Sequence, residues 1–122
     1  MTHRTLRPCP ASPNCVSTLT GAGDSRHAIA PYAYSQTVSD AKAVVKGVVA
    51  GLPRTKLVQE EEAYLHYECT SLLLRFVDDV EFLFDEGKKT IHFRSASRTG
   101  YGDLGVNRRR MEDIRSRLQG KL

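Results

Sequence analysis

The run Leu72-Leu73-Leu74-Arg75-Phe76-Val77-Asp78-Asp79-Val80-Glu81-Phe82-Leu83-Phe84 decides the fold. Leu72, Leu74, Phe76, Val80, Phe82 and Phe84 share one parity, the period-two signature of a strand with one face in a core. Asp78 interrupts the row. Two-residue hairpin turns prefer Asn-Gly or Asp-Gly, so Asp78-Asp79 reads better as a bulge in one long bent strand than as a turn. Downstream, Asp85-Glu86-Gly87-Lys88 is a good hairpin connection. It leads to a strand over Lys89 to Ser95, with Ile91 and Phe93 inward and His92 and Arg94 opposite. Upstream, Ala63, Leu65, Tyr67 and Cys69 form one apolar face, with Tyr64, His66 and Glu68 on the other. Lys56 to Glu60 alternates weakly, and Glu60-Glu61-Glu62 reads as a solvated turn.

Helices flank this β region. Val38, Ala41, Val45, Val48 and Leu52 recur at helical spacing and predict a helix over Thr37 to Gly51. Thr37 with Asp40 resembles a capping box, and Gly51 and Pro53 supply the stop. A second helix is expected from about Gly105 to Leu118, with Leu104, Met111, Ile114 and Leu118 as its stripe. Asn107 occupies a position of that stripe, so it either caps the helix or is buried and hydrogen-bonded, pinning the preceding loop. His27 to Tyr34 reads as a short edge strand, because Pro31 removes a donor. Residues 1–25, with prolines at 8, 10 and 13, read as an irregular segment preceding a single domain over 26–122. The expected fold class is α+β: a curved antiparallel sheet of about four to five strands, with two helices on one face.

The 122 residues suit one core between a sheet and its helices. Charge is uneven. From Gly87 onward ten Lys or Arg stand against three Asp or Glu, and before it eight stand against eleven. A basic C-terminal third points to internal pairing or to an anionic partner. No apolar run reaches the roughly 18 residues of a membrane span. The N-terminus lacks the apolar core of a signal peptide, so a soluble, cytoplasmic protein is expected. Cys9 and Cys15 lack the spacing of a Cys-x-x-Cys motif. With an odd number of cysteines in such a chain, free thiols are favoured over a Cys9–Cys15 bridge or a metal site.

The stretch from Arg94 to Arg110 carries five arginines, Ser95, Ser97, Thr99, Asp103 and Asn107 around a glycine-punctuated loop. Arg94, Ser95, Ser97 and Arg98, with backbone amides and a following helix N-terminus, have the groups to hold a phosphate or carboxylate. Asp78, Asp79, Asp103 and Asn107 complete the candidate ligand-binding set. The competing reading pairs Arg94 and Arg98 with Asp78, Asp79 or Glu81 and leaves the junction purely structural. Neither the phosphate-binding nor the dinucleotide-binding glycine pattern is present, and Cys15 sits in no nucleophile motif. His66 and His92, each central on a polar strand face, are a weak candidate for a metal pair.

Three segments carry a family resemblance. They are Cys9-Pro10-Ala11-Ser12-Pro13-Asn14-Cys15-Val16-Ser17, Phe76-Val77-Asp78-Asp79-Val80-Glu81-Phe82, and Arg94-Ser95-Ala96-Ser97-Arg98-Thr99-Gly100-Tyr101-Gly102-Asp103-Leu104-Gly105-Val106-Asn107-Arg108-Arg109-Arg110. In this order they resemble domain-of-unknown-function family 1499. The resemblance implies a small domain widespread in bacteria and photosynthetic eukaryotes, with relatives that add a membrane anchor or targeting segment. It implies no activity. The functional expectation is therefore a non-catalytic module binding an anionic small molecule, a lipid head group or a protein partner. No catalytic residue, metal or cofactor is assigned, and nucleic acid is not the expected partner. The alternatives are an enzyme using Cys15 or the Asp78, Asp79 and Glu81 carboxylates, and a structural subunit of a larger assembly.

Overall fold

A computed structural model describes residues 4–21, 23–73, 75–100 and 102–122. In chain order the elements are β1 (Cys15–Ser17), β2 (Tyr32–Ala33), α1 (Val38–Ala50), β3 (Thr55–Glu61), β4 (Tyr64–Thr70), β5 (Val77–Asp85), β6 (Thr90–Ser97) and α2 (Val106–Leu118). The strands form one six-stranded sheet in the order β1-β6-β5-β4-β3, with β2 also paired to β6. All strand pairings are antiparallel. Both helices lie on one face, where Ala41, Val45, Val49, Met111, Ile114 and Leu118 meet Leu65, Tyr67, Val80, Phe82, Ile91 and Phe93. The α+β expectation holds: the short edge strand expected at His27 to Tyr34 is reduced to β2, and one unexpected strand, β1, is added beside it at the β6 edge.

The alternation that announced the sheet starts later than expected. Ser71 to Phe76 form a loop closed by the Ser71 N–H donating to Phe76 O at 2.8 Å. Leu72 and Phe76 are exposed on it. The expectation for Leu74 lies outside the described residues. No bulge falls at Asp78-Asp79; β5 pairs in regular register with both neighbours. Asp78 keeps its place on the helix side because Arg110 of α2 meets its carboxylate at 2.7 Å. The acid is thus neutralised in place, and the strand needs no extra residue to turn it outward. The register shift lies instead in β3, between Leu57 and Gln59. The three glutamates are not a bare turn either. Glu60 meets Lys42 and Lys46, and Glu61 meets Arg4.

Helix α1 begins as read: Thr37 Oγ1 accepts from the Asp40 N–H at 3.1 Å. Helix α2 departs from its expected stripe at Leu104. That residue sits before the helix with φ at 55° and is 92% exposed. Gly105 follows in the left-handed region, so the chain turns sharply and helical spacing cannot be extended back to Leu104.

The first segment is not merely irregular. Val16 of β1 enters the core and pairs with Ser95. Residues before it pass over the sheet face remote from the helices, where Arg4 stacks 4.0 Å from the Tyr64 ring and Leu6 is buried. Cys9 and Cys15 are joined in a disulfide with Cα atoms 5.7 Å apart, which corrects the expectation of free thiols. The loop holding Pro10 and Pro13 brings the Cα atoms within bonding range, a distance that composition does not reveal. Cys69 is a buried free thiol, and burial raises its pKa.

Candidate functional site

The eight residues grouped as a site divide between the two faces of the sheet. On β5, Asp78 shares the helix side with Val80, Phe82 and Phe84; Asp79 and Glu81 point the other way. On β6, Ser95 and Ser97 face the helices, and Arg94 and Arg98 do not. Strand parity dictates this division, and the β5–β6 register aligns it: Asp78 opposite Ser97, Val80 opposite Ser95, Glu81 opposite Arg94.

On the helix side the organising residue is Asn107, fully buried in the first turn of α2. Its Oδ1 accepts from Ser95 Oγ at 2.6 Å and from Arg110 Nη1 at 2.9 Å. Its Nδ2 donates to Asp103 Oδ2 at 2.7 Å, Ser97 Oγ at 3.0 Å and Asn14 O at 3.2 Å. Asp103 also accepts from the Gly105 and Asn107 N–H groups. Partial burial of Asp103 works against its charge, but bonds from Asn107 and Gly105 outweigh it and hold the carboxyl below the usual range. One amide therefore ties together β6, the loop, α2 and the strand entry at Asn14. This is a closed network whose polar valences are spent inside the protein.

On the other face Arg98 donates from Nε to Asp79 Oδ2 at 2.8 Å. Its Nη2 donates to Asp79 Oδ1 at 2.9 Å and to Glu68 Oε2 at 2.6 Å. These bonds raise the Arg98 pKa. His66 Nε2 lies 2.8 Å from Asp79 Oδ1. Burial pushes Asp79 up, but Arg98 and His66 together overcome it and leave the carboxyl below its ordinary value. Arg94 is buried, with Nη2 3.4 Å from Pro8 O and Nη1 3.9 Å from Glu81. Desolvation, reinforced by the like charge of Arg7, lowers its pKa. Glu81 accepts from Tyr64 Oη at 2.5 Å, and burial followed by this bond raises the tyrosine pKa. The buried side-chain atoms lacking a hydrogen-bond partner among the described residues are Glu81 Oε1 and Arg94 Nε. His66 and His92 do not converge. They lie on strands separated by β5, and His92 Nδ1 lies 3.0 Å from Thr18 Oγ1.

Several participants escaped sequence reasoning. Arg110 lies three residues after Asn107, a spacing that shares a helix face. Glu68 and His66 share the outward parity of β4. Asn14, whose Nδ2 donates to Gly100 O at 2.7 Å, and His27 carry no local signal. His27 is buried with Nδ1 2.7 Å from Asp24 Oδ2 and Nε2 2.8 Å from Ser12 O. Both partners are acceptors, so only the doubly protonated imidazolium satisfies both contacts. The Ser12 carbonyl, then Asp24, raise its pKa accordingly.

The loop end of the sheet differs from its other end. There Arg54 Nε donates to Thr70 O, Arg109 Nη1 to Leu104 O, and Arg108 Nη2 to the carbonyls of residues 25, 26 and 28. Arg26 and Arg108 line a groove of about 340 Å³ with Pro13, Asp103 and Leu104. The opposite end holds an open concavity of about 890 Å³, lined by Glu61, Glu62, Asp85 and Glu86, where Arg4 is held by Glu61.

The family model described as "Protein of unknown function (DUF1499)" matches residues 5–118. The chain belongs to this family. The match takes in the disulfide loop, the β5 acids and the Asn107 junction alike. Comparison with curated proteins and with solved structures returned no match. Among the described residues no helix is long and apolar enough to cross a membrane.

Proposed function

We propose that this domain is a non-catalytic module that binds an anionic ligand at the loop end of its sheet. The observation that carries the reading is the imbalance of partners there. Arg54, Arg108 and Arg109 donate to neutral backbone carbonyls, whereas Asp78, Asp79 and Glu68 each face a cation and Asp103 is turned onto α2 amides. Guanidinium charge is left over at this end, while the carboxylates an acid/base mechanism would need are engaged. The anion's seat is the groove between Arg26 and Arg108, with Asp103 in its lining; Arg98 stays with Asp79 and Glu68 on the other face. Arg94, Ser95, Ser97, Asp78, Asp79 and Asn107 hold the junction that positions it. Cys15, as half of a disulfide, has no thiolate to attack with, which weighs against the enzyme alternative. The same bridge weighs against a cytoplasmic location, since such bonds persist in oxidising compartments.

The test is thermal melting of the full chain with inorganic phosphate or tripolyphosphate. Binding to the native state raises Tm with ligand concentration. Arg26→Glu, an exposed change, should abolish the shift without lowering the ligand-free Tm. A shift that survives in this variant, or none in the parent, refutes the reading.

A further inference from the structure

Beside the uncompensated guanidinium groups, the loop end exposes large apolar side chains. Leu73 is 87% exposed, Leu104 92%, Leu72 61% and Phe76 48%. Leu72, Leu73 and Phe76 sit on the β4–β5 loop, and Leu104 sits on the β6–α2 loop. The two loops leave the same end of the sheet, where the Arg98 N–H donates to Val77 O. Exposed Arg75 lies within the first loop and exposed Arg109 just after the second. Isolated apolar side chains on a surface need no explanation, but four on two loops at one end of a sheet do.

We infer that this end docks on an anionic lipid bilayer, with Leu72, Leu73, Phe76 and Leu104 entering the headgroup–acyl boundary and the arginines meeting the phosphates. The inference rests on the anion-binding reading above and names its partner. Charge complementarity commits it to this occupant: a cationic rim around apolar tips matches a surface that is anionic outside and apolar just beneath. Shape agrees, because protruding loop tips can enter a soft interface. Attachment of this kind is peripheral and weakens as salt screens the arginines.

The experiment is co-sedimentation of the full chain with phosphatidylcholine vesicles, with and without phosphatidylserine, at low and raised salt. Retention should require phosphatidylserine and fall with salt. The double variant L72Q/L73Q changes exposed side chains, so its melting should match the parent, while vesicle affinity should drop by about tenfold or more. R75E/R109E should lose retention comparably. Absence of parent binding to phosphatidylserine vesicles, or unchanged binding by L72Q/L73Q, overturns the inference. If tripolyphosphate still raises the parent Tm while vesicles fail, the bilayer assignment falls and the anion reading stands; if both fail, both fall. Self-association abolished by L72Q/L73Q, without vesicle retention, would give the patch to a second copy of the chain and also overturn the inference.

Discussion

Replacing Asn107 by Ala should be among the most damaging single changes in the chain. The side chain is fully buried and makes five hydrogen bonds, two at Oδ1 and three at Nδ2. Two of the five involve a charged partner, Arg110 and Asp103. Neutral bonds contribute about 1 kcal/mol each and charged ones about 1.5–3 kcal/mol, but Ser97, Asn14 and Asp103 share two amide hydrogens. Some partners also regain water once the site opens. The loss should therefore be about 3–4 kcal/mol, against a total stability of roughly 6–15 kcal/mol for a domain of this size. Urea unfolding, followed by circular dichroism with the m-value checked for constancy, measures it directly. Asn107→Asp separates hydrogen bonding from packing. It keeps the acceptor for Ser95 and Arg110 but sets a second carboxylate against Asp103, so it should destabilise at neutral pH and recover partly as acid protonates it. A loss below about 1 kcal/mol for Asn107→Ala would refute the network as the lock of the junction.

Other consequences follow from the same contacts. Reducing the Cys9–Cys15 bridge, or changing both cysteines to Ser, should cost about 2 kcal/mol from the short loop it closes, read as a lower Tm in dithiothreitol. Arg110→Met strands the Asp78 carboxylate among apolar side chains and should cost about 3 kcal/mol; adding Asp78→Leu should restore much of it, as a double-mutant cycle by urea unfolding would show. Two titrations bound the pH range of greatest stability. Asp79 is depressed when folded, so its contribution is full above the unfolded value of about 3.9 and is lost as pH falls through the lower folded value. His27 is raised, so its contribution is full below about 6.5 and is lost as pH rises through the higher folded value. His27→Gln should flatten the alkaline limb of a Tm-against-pH curve and, by removing the bond that lowers the Asp24 pKa, also weaken the acid limb, while the Asp79 contribution remains.

Much of the fold was legible because it follows from periodicity. Val80, Phe82 and Phe84 place β5, Ile91 and Phe93 place β6, and Val45 with Val49 marks the buried side of α1. The Thr37 cap needed only local chemistry, and so did the reading of Asn107 as a polar residue locked into an apolar stripe. Pairing of Arg98 with Asp79 was anticipated from charge alone. What escaped depends on distance in the folded chain. β1 is three residues long and carries no period. The disulfide depends on a Cα separation. Leu104 lost its helical phase to a left-handed turn, and Leu72 lost its strand phase to a loop. The partition of the candidate site was legible in principle. Ser95 and Ser97 differ in parity from Arg94 and Arg98, so one strand sends them to opposite faces, and only a bulge could have united them.

The central claim is that the anion meets the loop end of the sheet and not the buried Arg94 or the acidic concavity. The most direct measurement is amide NMR of the full chain titrated with tripolyphosphate. Shifts should saturate and cluster at residue 26, residues 102–105 and residue 108, which line the groove. Shifts confined to residues 4–10 and 81–94, or to the end around Glu61 and Glu86, would contradict it.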